Sequence, residues 1–598
     1  MNKYDKLKLK YFELYGHFGA NENQFNSLIR VIEENINHSK SRGKKEHDWF
    51  MKEDMIGMML YVDLFGKDFK GVTKHIPYLK KLGITYVHLM PLLKSRDGEN
   101  DGGYAVEDYL NVNPEYGTLE EFHDLIKSFN RNKIEVCIDY VLNHTSDTHE
   151  WAKKALAGDE FYQDMYMMYD TREIPDLYDQ TVSEVLPVKC PGNFTYVEQI
   201  KKHVFTSFSH FQWDLNFKNP YVFEQMVETM LKLANMGIGI LRLDAIAFMW
   251  KETNTSCRNL EHAHQILHLF HLIKEIACPS LTLLGEAIVE PHEIVKYFGE
   301  EETECDLLYN ANLMVDIFNS FATRDVRLMQ YDNTVLKAPK TGCFMNYIRC
   351  HDDIGWGFNE PFINRIGFDS YHHKQFLINF YNGTFNGSFA TGENYQYNEK
   401  THDTRTNGTL ASLLGLESAE RYQDQRARET ALYRIKLANA LIFSHRGIPL
   451  IYSGDELATL NDHTYLNDIH KKDEARWVHR PIFDWERAKK RKDMTTDEGI
   501  IFQFIKRLIK LRKSEQLFSG TVDAKVIDVH NQHVYAFLKA DDTRQIVCLF
   551  NFSENNQYFS NKTLQSVRSK TLTDMITGKN VSLEKDIHLY PYECLWLK

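Results

Sequence analysis

The chain has little that would tie it to an oxidising compartment, a membrane or a nucleic acid. Its nine cysteines among 598 residues are an odd number, scattered, with no C-x-x-C pair. A disulfide framework or a structural zinc site is therefore not indicated, and a reducing compartment is expected. No apolar stretch is long enough to span a bilayer, and the opening MNKYDKLKLKYFELYG lacks the apolar run of a signal peptide. A cytoplasmic location is the expectation. Net charge is −12 and no long basic run occurs, which argues against nucleic acid and against an anionic membrane as partners. There is no internal repeat, no low-complexity segment and no glycine-rich phosphate turn. Without that turn, an open dinucleotide-binding sheet is the poorer account of the strands and helices in this chain.

What the chain does have is a repeating order of apolar strands and amphipathic helices. The clearest strand is Gly237-Ile238-Gly239-Ile240-Leu241-Arg242-Leu243-Asp244-Ala245, an apolar run that ends in a carboxylate. That is the pattern of a buried parallel strand whose C-terminal end opens into a site. Side chains alternate along a strand, so Arg242 and Asp244 share a side, and the guanidinium would hold Asp244 ionised. Further strands read as Met58–Val62, Thr85–Leu89, Lys133–Tyr140, Leu281–Glu286, Phe344–Arg349 and Pro449–Tyr452, with helices around Ile76–Lys81 and Leu119–Phe129. Polar groups gather where these strands end: Asp139, Asp244, Glu286, and His351-Asp352 after Arg349. An α/β fold with a (β/α)8 barrel places its active face there.

The layout expected is a helical part over 1–54 and barrel stretches over 55–142, 217–353 and 416–518. Inserts over 143–216 and 354–415 interrupt the barrel, and an antiparallel β-sandwich covers 519–598. Loops as long as the two inserts are usually functional or are small domains. The histidines of LEHAHQILHLFHL (His262, His264, His268, His271) read as one polar face of an outer barrel helix, since no carboxylate or cysteine completes a metal set. The basic Lys40–Lys45 stretch reads as a solvated loop.

Three carboxylates at one barrel mouth repel one another, so one should titrate high and act as the acid. Glu286 has no cationic neighbour in sequence and is the candidate acid; Asp244 beside Arg242 is the candidate ionised partner. Two such carboxyls are the standard equipment for cleaving a glycosidic bond.

DYVLNH (Asp139–His144), GILRLDA (Gly239–Ala245), GEA (Gly285–Ala287) and RCHDD (Arg349–Asp353) resemble, in order, four motifs of the α-amylase superfamily. YVDLF (Tyr61–Phe65), YVHLMPL (Tyr86–Leu92), DGGYAVEDY (Asp101–Tyr109), FQWDLN (Phe211–Asn216), HDDIGW (His351–Trp356) and RWVHRP (Arg476–Pro481) narrow this to a resemblance to the amylosucrases over nearly the whole chain. The resemblance implies that Asp244 attacks the anomeric carbon of sucrose's glucosyl unit. Glu286 would be the acid and then the base, and Asp352 would bind and distort the ring. It implies that Arg242, His144 and His351 surround the ring, with Tyr104 and Phe208 packed beside it. Asp101 and Arg476 would close the pocket floor with an ion pair. Gln212, Ile288, Asp353 and Arg405 would lie toward the fructosyl or acceptor side. Sucrose and α-glucan acceptors are the implied partners. No cofactor and no metal are implied, and the oligomeric state, monomer or homodimer, stays open.

The family's acceptor path is lined by arginines, but two matching positions here are Ser183 and Lys374. Lys lacks the planar fork of Arg, and Ser removes the cation. Sucrose hydrolysis or phosphorolysis are the nearest rival activities. A catalytically inactive member of the superfamily is the rival of a different class.

Overall fold

The computed structural model describes residues 2–39, 48–287, 289–300, 303–469, 471–564 and 570–598. All of the Lys40–Lys45 stretch and Ile288 lie outside the described residues.

Eight parallel strands close into a barrel: Gly57–Leu60, Tyr86–Leu89, Glu135–Val141, Ile240–Asp244, Thr282–Gly285, Leu307–Tyr309, Cys343–Tyr347 and Ile448–Tyr452. They follow one another around the barrel in chain order, and the eighth pairs with the first. Apart from Glu135 every strand residue is buried, which is why the sequence shows continuous apolar runs rather than alternation. The sixth strand, Leu307–Tyr309, is absent from the sequence reading. It is three residues long and sits between polar groups, so no periodicity announces it.

Helices cover the barrel and carry ordinary stop and start signals. Asp68 caps Phe69–Leu82 through the Gly71 N–H, and Gly83 ends that helix in a left-handed conformation at φ 110°. Thr118 and Glu121 form a reciprocal capping box on Leu119–Arg131, whose buried stripe is Phe122, Leu125, Ile126 and Phe129. The helix Glu261–Ala277 carries the four histidines, and each has its own neighbour. His262 stacks on Trp250, His264 meets Glu304, His268 meets Thr303, and His271 meets the Glu304 carbonyl. Two earlier helices, Lys3–Tyr15 and Glu22–Ser39, pack on this flank; Tyr15 touches Phe223 and Ser27 donates to Glu224.

Between the third and fourth barrel strands the chain makes a three-stranded antiparallel sheet (Met168–Tyr169, Phe194–Val197, Lys202–Phe205), and Gln212–Asp214 pairs with His144–Ser146. Between the seventh and eighth it forms helices Glu360–Arg365 and Ser370–Tyr381 and a ribbon of Glu393–Tyr395 with Arg405–Asn407. After residue 520 a four-stranded antiparallel sheet (Lys525–Val526, Val534–Ala540, Gln545–Asn551, Cys594–Leu597) is backed by two short ribbons. The sandwich expected from the sequence thus takes a lopsided form. Val534, Ala536, Val547 and Leu549 face the ribbons, while Tyr535, Phe537, Cys548 and Phe550 face the barrel. Period-two alternation therefore persists, but both faces are apolar because both are covered.

None of the nine cysteines is in a disulfide. Among the described residues no helix is long and apolar enough to cross a membrane.

Candidate active site

The parallel register sets Arg242 of the fourth strand beside Asp139 of the third. Both side chains therefore point into the barrel, and Arg242 Nη1 donates to Asp139 Oδ1 at 2.7 Å. The same nitrogen donates to Asp244 Oδ1, two residues along on the same side of the strand. Arg242 Nη2 lies 3.9 Å from Glu286 Oε1, so one guanidinium reaches both candidate catalytic carboxyls. Ala245 follows Asp244 in a left-handed conformation (φ 52°), and its N–H donates to Glu286 Oε2 at 2.8 Å. A non-glycine residue pays strain for that conformation, and here the strain aims a backbone donor at the carboxyl facing the strand end.

Asp139 anchors the cluster. Burial alone would push its carboxyl up, but His88 and Arg242 overcome this and hold it below its ordinary value. His88 Nε2 is 3.0 Å from Asp139 Oδ2, and Tyr309 closes the chain at His88 Nδ1. Tyr104 O–H donates to Asp139 Oδ1 at 3.1 Å and lies 2.7 Å from His351 Nε2. Burial, reinforced by the neighbouring Arg480 and Arg242, holds the His351 imidazole well below the ordinary histidine range.

The electrostatic expectation for the pair is corrected in one respect. Burial pushes the Asp244 carboxyl well up, Arg242 opposes this, and nearby Glu286 adds to the rise. Asp244 is only 8% exposed, so desolvation outweighs the guanidinium that the sequence made prominent. Asp352 is pushed up to about 6 by burial, against the pull of Arg476 and Arg242.

A second charged cluster surrounds Arg476. Arg476 Nη2 donates to Asp101 Oδ1 at 2.6 Å, Nε donates to Glu474 Oε1 at 2.8 Å, and Nη1 lies 3.4 Å from Asp352 Oδ1. Asp101, Gly102 and Gly103 all have positive φ, and the Asn100 side chain accepts from the Gly103 N–H. A Cβ on Gly103 would come within 2.7 Å of Pro91, so this turn needs glycine there. Lys189, from the first insert, bridges Asp101 (3.4 Å) and Glu474 (3.2 Å) from the more exposed side. Burial would raise the Asp101 carboxyl; Lys189 and Arg476 hold it below its ordinary value.

Gln212 Nε2 lies 3.0 Å from His144 Nε2 and 3.4 Å from Asp101, joining the two clusters. Burial lowers the His144 pKa. Phe208 packs between His144 and Phe248. Arg405 pairs with Asp353 at 3.3 Å and donates to the Val185 carbonyl. Ser183 is exposed, and Lys374 sits 3.6 Å from Glu360, within the second insert. The structure thus gathers Asp101, Tyr104, His144, Phe208, Gln212, Arg242, Asp244, Glu286, His351, Asp352, Asp353, Arg405 and Arg476 about the C-terminal mouth of the barrel. Ile288 lies outside the described residues.

Sequence reasoning missed His88, Lys189, Tyr309 and Glu474. His88 had a signal, a histidine inside the apolar strand YVHL. Glu474 lies in a polar stretch that looks like any solvated loop, Lys189 is a lone cation in the turn-rich run VLPVKCPG, and only the fold brings them to Arg476.

The family pattern for the alpha-amylase catalytic domain matches residues 11–354, and that for the amylosucrase C-terminal domain matches residues 525–598. A glucosylglycerate phosphorylase of Escherichia coli (strain K12) is 26% identical over 98% of this chain and 98% of its own length. A trehalose synthase of Pimelobacter sp. (strain R48) is 29% identical over 67% of this chain and 64% of its own. Among solved structures, the trehalulose synthase of Pseudomonas mesoacidophila MX-45 superposes with TM-score 0.65 at 18% identity, over 93% of this chain and 100% of that one. Likeness at that identity speaks for the fold alone. The alpha-amylase pattern spans more than half of the residues, from the first helix through the strand ends that carry Asp244, Glu286 and Asp352, and on that extent the chain belongs to the alpha-amylase family.

Proposed function

We propose that this chain is a retaining glucosyltransferase of the amylosucrase type. It takes the glucosyl unit of sucrose onto Asp244 as a covalent β-glucosyl ester, releases fructose, and passes the unit to an α-glucan. Glu286 protonates the departing oxygen and then takes the acceptor's proton; two inversions give net retention. Carboxyl oxygens of Asp244 and Glu286 roughly 5–5.5 Å apart in the sugar complex would suit this route. The observation that carries the reading is the Arg476–Asp101–Glu474–Lys189 cluster beside Asp352. A pocket ended by locked charges takes one sugar unit and stops a long chain from threading through. The match of residues 525–598 to the amylosucrase C-terminal pattern supports the same choice. On this reading the segments 143–216 and 354–415 are inserted domains that build the acceptor side.

Phosphorolysis is the second reading, favoured by the near full-length likeness to a protein named as a glucosylglycerate phosphorylase. One assay separates them. The protein is incubated with sucrose, with and without inorganic phosphate, and fructose, glucose, iodine-staining glucan and glucose 1-phosphate are measured. Glucan with stoichiometric fructose supports the first reading. Predominant glucose 1-phosphate supports the second, and predominant free glucose a hydrolase. No fructose above an Asp244→Asn control removes sucrose as the donor.

A further inference from the structure

Ser183 stands where the resemblance expects a cation, and the structure puts another cation against it. Arg258 Nη2 donates to the Ser183 carbonyl at 3.1 Å. Arg405 Nη2 donates to the Val185 carbonyl at 3.1 Å. The two carbonyls are two residues apart in the chain, so both guanidiniums are bound to one short segment. Arg258 lies over the ring of Phe248 at 4.9 Å, and Phe248 packs on Phe208, which packs on His144. Arg405 pairs with Asp353, next to Asp352. Both arginines therefore stand at the rim of the candidate site, Arg258 by way of Phe248 and Phe208, and Arg405 by way of Asp353.

Charge balance separates this rim from the Arg476 cluster. Lys189 and Arg476 face Asp101 and Glu474, two cations against two anions. At the rim, Arg258 and Arg405 face Asp353 alone. Among the described residues no carboxylate comes within ion-pair distance of Arg258, and its Nε is buried with no hydrogen-bond partner. Glu184, between the two carbonyls, is engaged with the Gly192 N–H. Burial and the repulsion of Arg405 both lower the Arg258 pKa. A planar guanidinium with free donors is suited to bind carboxylate or phosphate through paired hydrogen bonds.

We propose that Arg258 and Arg405 form an oxyanion subsite at the pocket rim, which takes the carboxylate or phosphate group of an acidic acceptor. The placement on the acceptor side rests on the glucosyl-transfer reading above. In transfer, a hydroxyl or phosphate oxygen of the acceptor bonds to the anomeric carbon as the ester bond to Asp244 breaks and the Asp244 carboxylate is restored. The proton of a hydroxyl goes to Glu286.

Two measurements test this on the full chain. Calorimetric titration with inorganic phosphate, and separately with glycerate, reads the subsite without turnover. At least one should bind saturably, with affinity falling about tenfold or more in Arg258→Gln and largely kept in Arg258→Lys. Phosphate alone or glycerate alone would identify the source of the oxyanion. The second measurement is the ratio of glycerate to glycerol glucosylation from sucrose, which should fall at least tenfold in Arg258→Gln; the ratio cancels any general loss of activity. Absence of binding by either anion, or equal binding by wild type and Arg258→Gln, overturns the proposal. Failure to cleave sucrose at all would instead sink the transfer reading, while the titration still decides the subsite.

Discussion

Two buried regions of this molecule treat charge in opposite ways. At the barrel mouth ionisable groups meet counter-charges: Asp139 has His88 and Arg242, Asp101 has Arg476 and Lys189. At the junction between barrel and C-terminal sheet, several buried ionisable groups meet none among the described residues. Lys539 is fully buried with no partner for its amine, beside Arg512, whose guanidinium has only the carbonyls of Phe443 and Gly447. Asp316 and Asp332 line a cavity of about 470 Å³ there, each with one oxygen lacking a partner. Burial lowers Lys539 well below the ordinary lysine range and lifts Asp332 to about 7. The lesson is that a protein keeps buried charge ionised only where it builds a compensating lattice. Elsewhere the group gives up its charge.

Substitutions can break this contrast at several points. Asp244→Asn should cost the most, a loss of roughly 10⁴–10⁶-fold in turnover, while the melting temperature holds or rises, because the amide avoids the desolvation of a buried carboxylate. Initial fructose release and a thermal melt read the two effects; a melt that falls sharply would mean that Asp244 is structural. Arg476→Ala should come next. It strands Asp101 and Glu474 without their main partner and should destabilise the fold by about 3–5 kcal/mol, measured by denaturant unfolding. A loss under about 1 kcal/mol would show that Lys189 alone balances that end.

At the junction the sign reverses. Lys539→Met should stabilise by on the order of 1–3 kcal/mol, since no ion pair is lost and an unpartnered amine is removed. Asp332→Asn should have the smallest effect, and it depends on pH. The folded carboxyl titrates near 7 and the unfolded one near 4, so the folded state binds the extra proton in between. Wild-type stability should therefore fall as pH rises from about 4 to 7, by on the order of 1–2 kcal/mol, and the variant should lose that fall. Parallel pH profiles for the two proteins would refute the assignment.

The same contrast explains what the sequence made legible. Seven barrel strands could be read because burial on both faces leaves continuous apolar runs; Leu307–Tyr309 is too short to leave one. The candidate catalytic carboxyls Asp244 and Glu286 could be read because each closes such a run. The Asp244 proton balance could not, since it depends on burial depth rather than on the neighbouring Arg242. Lys189, Glu474 and Arg258 escaped because their partners are remote in the chain: Lys189 meets Glu474 across 285 residues, and Arg258 meets Ser183 across 75. Lys539 was hidden for a different reason. It occupies a position in Val534–Ala540 that would face water on a one-sided sheet, and nothing local tells that this sheet is covered on both sides.

That double covering limits how the molecule can be cut. Trp596, Phe537 and Phe550 belong to the same continuous apolar core as the barrel, and Trp596 packs against Phe518. A shortened version ending before the four-stranded sheet would bare an aromatic wall along the barrel's flank and should come out of cells as aggregate. Engineers seeking a smaller variant should leave the tail whole.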